Sequence, residues 1–337
     1  MAKPDARAYT QGMDNFPRPR VLFSRCLGFE ACRYDGSMIR DDFSQALIPR
    51  VDCLASCPEC GAGLGLPRDP VRLVRDGDRL LLLQPASGKD WSGAMEAWCE
   101  GEIARLRAGP AFDGILLKSR SPSCGPGEVK VYVGRDAKAA TEKAPGFFAS
   151  SLAQAFPELP MEDEGRTRNF TVRDHFLISL YCRAEYRAAR ESHDVRSLLD
   201  VHTRWKLLFM AYSPTVTRVL GAILAANKRR PPEALFEDYG RELARLLSKP
   251  FRYTSMINAL QHAFGGLSEA LSPAERAFFL ATLEEYRDER IPLSVLLRLL
   301  KGWALAQGNA YLLSQRLLSP YPLDLVTITD SGKGRDY

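Results

Sequence analysis

The chain is 337 residues long and 45% hydrophobic, with 46 Lys and Arg against 41 Asp and Glu for a formal net charge of +5. A chain of this size forms two domains with cores of their own, which removes the need for the disulfide staples of small secreted folds. The opening residues lack the apolar centre of a signal peptide, and no run of about 18 uncharged apolar residues follows. The expectation is a cytoplasmic protein with reduced thiols, no membrane contact and no protein partner implied.

In chain order, VLFS at 21–24 reads as a buried strand that enters a turn holding Cys26 and Cys32. A second turn, rich in Gly and Pro, holds Cys53, Cys57 and Cys60. RLVRDGDRLLLLQP at 72–85 reads as a hairpin about Asp76 and Gly77. Then come a helix over 91–109, a strand GILLKS over 114–119 leading straight to the turn of Cys124, and a strand VKVYVG over 129–134. Strand, turn, helix, strand is the rhythm of an α/β layer, in which reactive groups gather on loops past the carboxyl ends of strands. Cys26 and Cys124 both follow such ends and are expected on one rim.

From about 170 the apolar spacing changes to the 3.6-residue period of helices. It predicts helices over 173–191, 195–212, 214–227, 233–248, 253–263, 272–287, 293–306 and 308–317, many opened by Asp, Ser or Thr caps or by Pro in the first turn. The expected architecture is an α/β N-terminal domain, mainly parallel sheet with helices, followed by an all-α C-terminal helical domain. The expected limits are a flexible N-terminus over 1–17, the α/β domain over 18–160, the helical domain over 161–330 with 161–170 as the joint, and a tail over 331–337.

The cysteine turns carry the chemistry. Glycine and proline beside a cysteine let the backbone turn back toward a bound group. Cys57-x-x-Cys60 is a zinc half-site, but no second pair has matching short spacing, and Cys26 and Cys32 stand too far apart to be one. Cys53, Cys57 and Cys60 have the three-thiolate spacing of radical S-adenosylmethionine enzymes. That class has an aromatic residue where this chain has Glu59, and it needs a run of β/α units where helices alone follow here. The third arrangement takes one cysteine from each turn.

SRCLGFEACRYDG, SCPECGAGLGLPRDP and LKSRSPSCG, in that order, resemble the three signatures of the thiouracil desulfidase family over residues 18 to about 160. VHTRWKLLFMAYSP, RYTSMINALQHAFG and RIPLSVLLRLLKGW resemble a helical domain commonly fused to it, and the whole is similar to bacterial enzymes that remove sulfur from 4-thiouridine in tRNA. The resemblance implies a 4Fe-4S cluster held by Cys26, Cys57 and Cys124. With three irons ligated by protein, the open fourth is a Lewis acid for a soft thiocarbonyl sulfur, so that water can attack the ring carbon without net redox change.

The same resemblance makes Glu59 the catalytic base and Ser121 the active-site serine. The plainer readings are a carboxylate capping a turn and a Ser-Pro turn former. Lys118, Ser119 and Ser123 are further pocket candidates. Cys60 stands where the family often has an apolar residue and competes with Cys57 as a ligand. Cys32 and Cys53 are expected to be small buried hydrophobes.

Residues 166–230 hold 13 Lys and Arg against 5 Asp and Glu, whereas 231–337 hold 12 against 13. Cations interleaved with an aromatic suit RNA, where phosphate contacts give affinity and stacking captures an unpaired base. The candidate contacts are Arg166, Arg168, His202, Arg204, Trp205, Lys206, Lys228, Arg229 and Arg230, with Trp205 in place of a histidine in the family's basic motif. A core-edge helix with a satisfied histidine is the plainer reading. The expected substrate is 4-thiouridine in tRNA. The alternatives are free 2-thiouracil or a related thiopyrimidine, which needs no added domain, and a non-catalytic iron–sulfur or zinc protein that binds RNA or senses redox state.

Overall fold

The computed structural model describes residues 16–135 and 137–326, without the side chain of Lys228. One unit runs from Arg18 to Asn169; the second takes in Phe16 and Pro17 together with the chain from Phe170. Most of the N-terminus expected over 1–17, and the tail over 331–337, lie outside the described residues. The division falls later than the expected limit at 160. Met161–Asp163 is a strand of the first unit and not part of a joint.

The first unit contains, in order, β1 (Arg20–Ser24), α1 (Asp42–Leu47), β2 (Asp52–Ser56), α2 (Pro58–Gly61), β3 (Arg72–Asp76), β4 (Arg79–Gln84), β5 (Lys89–Asp90), α3 (Ser92–Ala108), β6 (Gly114–Leu117), β7 (Val129–Val133), β8 (Ala140–Ala144), α4 (Phe147–Ala155) and β9 (Met161–Asp163). Val21, Leu22 and Phe23 of β1 and Ile115, Leu116 and Leu117 of β6 are wholly inaccessible. Such unbroken apolar runs belong to strands covered on both faces, the usual state of parallel sheets. They form the middle of a parallel sheet of order β2-β1-β6-β9.

Ser24 lies beside Ser56, and Phe23 beside Leu116, so β1, β2 and β6 end almost level. The chain goes from β1 to one side and later returns to the other. That reversal makes the carboxyl ends of β1 and β6 the switch point at which open α/β sheets form a crevice. A second sheet, β5-β4-β3-β7-β8, is antiparallel except for the β3–β7 pair. Its β3–β4 hairpin turns at Gly77, at φ 60°. Leu22, Ile115 and Leu117 pack in one core with Met95, Cys99 and Leu106 of α3, Phe148 and Leu152 of α4, and Leu73, Leu82 and Val131 of the second sheet.

The second unit consists, among the described residues, of α5 (Phe170–Glu191), α6 (Val195–Tyr212), α7 (Pro214–Ala225), α8 (Pro232–Leu246), α9 (Tyr253–Gly265), α10 (Pro273–Arg287), α11 (Leu293–Ala306) and α12 (Ala310–Ser314), with short 3-10 turns. Its helices begin where the sequence offers caps. Asp194 accepts from the amide of Arg196, and Ser213 caps α7 with Pro214 in its first turn. Ser272 and Glu275 form a reciprocal capping box on α10. Trp205, Phe176, Phe209, Tyr239 and Phe279 are fully buried in this unit. Among the described residues no helix is long and apolar enough to cross a membrane.

Candidate active site at the carboxyl ends of the parallel strands

Three loops leave the level ends of β1, β2 and β6, and each carries cysteine. After β1 the chain turns at once: the amide of Arg25 donates to Ser56 O at 2.9 Å and that of Leu27 to Ser24 O at 2.9 Å. Cys26 is thereby held at the strand end, 9% exposed. Its carbonyl accepts from the amide of Ile39 at 2.8 Å, closing a loop that carries Cys32. After β2, Cys57 precedes α2, whose first residue is Pro58. The preset φ of proline starts the turn that places Glu59 and Cys60 beyond the strand.

After β6, the amide of Lys118 donates to Ser24 Oγ at 2.9 Å, and Arg120 takes a left-handed φ of 57°. The Ser121 hydroxyl accepts from the amides of Ser123 at 3.3 Å and Cys124 at 3.1 Å. Gly146 backs this turn. A Cβ there would lie 2.6 Å from the carbonyl carbon of Ser123 and 2.7 Å from Pro122 O, so glycine alone permits the approach.

The thiols meet. Cys57 Sγ and Cys60 Sγ both reach the carbonyl oxygen of Cys32, at 3.9 and 3.8 Å. Hydrogen bonding to Cys26 pushes the Cys32 thiol up to about 12, with Cys57 pulling the other way. The thiol of Cys57 is pushed up by its hydrogen bond to Cys32 and by burial, and that of Cys60 by burial. Burial also pushes up Cys124, with the charges of Glu59 and Cys57 adding to it. Cys32 thus lies beside Cys26 and Cys57, with Cys60 close to both Cys57 and Cys32, and Cys124 within electrostatic reach of Cys57.

Cys32 is buried as expected, with its thiol beside those of Cys26 and Cys57, whereas Cys53, also expected to be buried, is exposed on β2. Cys99 and Cys182 are buried, on α3 and α5. Among the described residues no three His, Cys, Asp or Glu side chains converge as they would on a single ion.

Glu59 lies at the centre of this arrangement. Its Oε2 accepts from Arg68 Nε at 2.9 Å and Nη2 at 2.6 Å. Its Oε1 accepts from Ser123 Oγ at 2.6 Å and more distantly from Ser121 Oγ at 3.4 Å. Ser123, fully buried, is thus the closer serine, while Ser121 chiefly caps the turn of Cys124. Arg68 escaped the sequence reading. The signal available was a lone cation in the Gly- and Pro-rich stretch that follows Cys60.

On the same rim Lys118 Nζ donates to Glu164 Oε1 at 2.7 Å, just past β9, and Ser119 gives Glu164 both its amide and its hydroxyl. Burial raises the Glu164 carboxyl, but hydrogen bonds from Lys118 and Ser119 outweigh it and hold the group below its ordinary range.

The residues expected to contact RNA separate. Arg166 and Arg168 belong to the first unit, where Arg166 pairs with Glu162 at 2.7 Å. Trp205 is 0% exposed, so it has no face to offer a base; the apolar side of α6 draws it into the helical core. His202 is set against Tyr239 Oη at 3.1 Å, and burial followed by the charge of Lys206 pushes it down to about 4. It is a neutral core-edge histidine. Arg204 donates to the buried Glu185 at 2.8 Å, and Arg230 pairs with Asp238. Lys206 and Arg229 are exposed; the side chain of Lys228 lies outside the description.

The first unit is thus an α/β layer whose switch point carries a thiol-rich set of loops, with one carboxylate held by a guanidinium and two serines. Residues 21–164 match the family model of the 2-thiouracil desulfurases, from within β1 to just past β9. The chain belongs to the 2-thiouracil desulfurase family. Residues 206–322 match a second family, described as a protein of unknown function, DUF1722.

Among curated relatives, the uncharacterized protein YbbK of Bacillus subtilis (strain 168) is 31% identical over 32% of this chain and 74% of its own length. The uncharacterized protein YbgA of Escherichia coli (strain K12) is 28% identical over 44% of this chain and 89% of its own length. Among solved structures, the 4Fe-4S-dependent thiouracil desulfidase TudS is 27% identical, over 45% of this chain and 94% of that chain, with a TM-score of 0.37.

Proposed function

We propose that this protein removes sulfur from a thiolated pyrimidine by hydrolysis, and that its substrate is 4-thiouridine in tRNA, converted to uridine with release of sulfide. The observation that supports the reading is that Cys26, Cys57 and Cys124 stand on the three loops beyond adjacent parallel strands, with Glu59 tied to the turn of Cys124 through Ser123, inside the stretch that matches the desulfurase family. A donor set made of thiols suits iron and sulfide. Cys26, Cys57 and Cys124 are assigned as the ligands of a 4Fe-4S cluster. Loading must remove their protons, so it is favoured by rising pH. When bound, such a cluster supplies an open iron as a Lewis acid toward a thiocarbonyl sulfur.

The protein's own groups do the rest. Water replaces sulfur at the ring carbon, so C=S and water become C=O and hydrogen sulfide, and no electron donor is required. Glu59 takes the proton of the attacking water. Its Oε2 is occupied by Arg68, which leaves Oε1, next to Ser123, as the basic atom. Ser123 and Ser121 hold that oxygen and can pass a proton along their 3.0 Å contact.

A free thiopyrimidine is the second reading, favoured by the burial of Trp205 and the ion pairs of Arg204 and Arg230, which reduce the surface left for RNA. The test uses anaerobically prepared full-length protein, assayed for iron and sulfide and then given tRNA containing 4-thiouridine or free 2-thiouracil. About four irons and four sulfides per chain, with uridine formed in the tRNA, is the expected result. Turnover of the free base alone selects the second reading. Iron-free protein with stoichiometric zinc, or a loaded cluster without desulfuration of either substrate, rejects both.

A further inference from the structure

Arg68 is an enclosed cation of the candidate site. Its side chain is 3% exposed, yet every polar edge of it has a partner. Nε and Nη2 close on Glu59 Oε2, Nη2 also donates to Cys32 O at 3.1 Å, and Nη1 donates to Gly65 O at 2.9 Å while lying 3.8 Å from Cys60 Sγ. Its backbone amide donates to Tyr34 O at 2.9 Å. One guanidinium therefore links three stretches of chain: the loop of Cys32, the turn of Glu59 and Cys60, and its own Gly-Pro loop.

The fork closes on a single carboxylate oxygen instead of spanning both. Oε2 is thereby fixed, and Oε1 is turned toward Ser123. A Lys ammonium at this place would act as a point charge and could not set the plane of the carboxylate. With its side chain enclosed, Arg68 has no face left for substrate.

We infer that Arg68 is a positioning residue for the desulfuration reaction: it holds Glu59 in the orientation that presents Oε1 beside Ser123, and does so without touching substrate. The inference rests on the role given to Glu59 above.

The test compares Arg68→Met, Arg68→Lys, Glu59→Gln and the double variant Glu59→Gln/Arg68→Met in the full-length protein, reading kcat, KM, iron and sulfide per chain, and the crystal structure of Arg68→Met. The expected result for Arg68→Met is a kcat lower by roughly 100-fold, the scale of a misplacement of about an ångström. KM and cluster content should stay near the parent's, and Glu59 should be turned away from Ser123 in the crystal. Arg68→Lys recovers part of the rate.

Should Arg68→Met fail to fold, the double variant decides, since it removes both buried charges together. It is expected to load iron and to turn over within about twofold of Glu59→Gln alone, because two residues acting through one step do not add. Unchanged kcat in Arg68→Met, a raised KM at unchanged kcat, iron lost in step with activity, or losses that multiply in the double variant would each overturn the inference. Parent-like turnover by Glu59→Gln would instead reject the proposed role of Glu59, and the inference with it. A slow Glu59→Gln beside a fast Arg68→Met rejects the inference alone.

Discussion

The hydroxyl of Ser123 donates to Oε1 of Glu59 at 2.6 Å, fastening the turn of Cys124 to the turn of Cys57 across 64 residues of chain. Ser121, two residues away, reaches the same oxygen only at 3.4 Å and spends its hydroxyl on the amide of Cys124. The two serines thus have separable tasks. If Glu59 is the base proposed above, Ser123→Ala should lower kcat by about 10-fold or more with the iron content retained, through loss of a hydrogen bond to a charged group. Ser121→Ala should have a smaller effect on kcat per loaded cluster and a larger one on iron content. Iron analysis beside steady-state kinetics distinguishes them, and equal effects on both quantities would contradict this division.

The thiol assignments give the next prediction. Cys26→Ala, Cys57→Ala and Cys124→Ala should each abolish stable cluster binding, read from iron per chain and visible absorbance after anaerobic reconstitution. Cys99→Ala and Cys182→Ala should retain it, because those thiols belong to helices α3 and α5 and not to the three cysteine turns. Cys60 shares the Cys32 carbonyl with Cys57, so it is the informative control. Loss of iron in Cys60→Ala with retention in Cys57→Ala would transfer the ligand role to Cys60.

Gly146 gives a packing test away from the thiols. Its missing Cβ would meet backbone atoms of Pro122 and Ser123 at 2.6 to 2.7 Å, and backbone cannot swing aside as a side chain can. Gly146→Ala should destabilise the first unit by about 1–3 kcal/mol, the usual range for overpacking. It should also lower iron retention by displacing the Cys124 turn. A thermal melt and iron content like the parent's would mean that the turn tolerates the shift.

Much of the helical unit was legible because its punctuation is local. The periods predicted over 195–212 and 293–306 match α6 and α11, and Asp194, Ser213 and Ser272 cap as their positions promise. Helix α12 is shorter than the 308–317 expected, since Asn309 caps its start and the chain leaves helical geometry at Gln315. In the first unit, β1, β6 and the β3–β4 hairpin were readable from apolar runs and an Asp-Gly turn. Strand β2 was hidden by its cysteine and short apolar run, β8 (ATEKA) by its lack of alternation, and β9 by its three-residue length.

The site was legible as cysteine turns past strand ends. Arg68, and the preference for Ser123 over Ser121, arise from contacts between distant turns that no local pattern encodes. Trp205 misled because period alone does not say whether an aromatic at the edge of an apolar stripe faces water or core.

Stability of the helical unit should fall on mild acidification. His175 and His202 are both pushed down to about 4 from 6.5, chiefly by burial. A group that binds its proton less well when folded contributes stability that is whole above the unfolded value, here 6.5, and is lost as pH falls through the folded one. Asp174 opposes them: burial raises it to about 6 from 3.8, so its contribution is whole below 3.8 and lost as pH rises through 6. Between 4 and 6 two histidines outweigh one aspartate. Urea midpoints followed by helical circular dichroism should therefore drop between pH 6.5 and 4.5, and His175→Gln/His202→Gln should flatten the drop. A slope unaffected by both substitutions would show that other groups set it.

The last prediction concerns RNA and follows from which cations remain at the surface. Lys206 and Arg229 are exposed, whereas Arg204 is tied to the buried Glu185 and Trp205 is enclosed. If the helical unit holds tRNA by its phosphates, affinity should fall steeply with salt, and each removed phosphate contact should flatten the log–log slope by about one unit. Lys206→Ala and Arg229→Ala should each do so, raise KM for tRNA, and leave hydrolysis of a free thiopyrimidine unchanged. Arg204→Ala should act differently: it strips a partner from Glu185, and its main effect is a lower melting temperature. Trp205→Ala should cost about 3–5 kcal/mol of stability through an unfilled core, with no loss of base stacking to report. Fluorescence-anisotropy titrations of tRNA across a salt series, paired with thermal melts, separate these outcomes. Salt-independent binding, or a slope that Lys206→Ala and Arg229→Ala leave untouched, would remove this face of the helical unit from tRNA recognition.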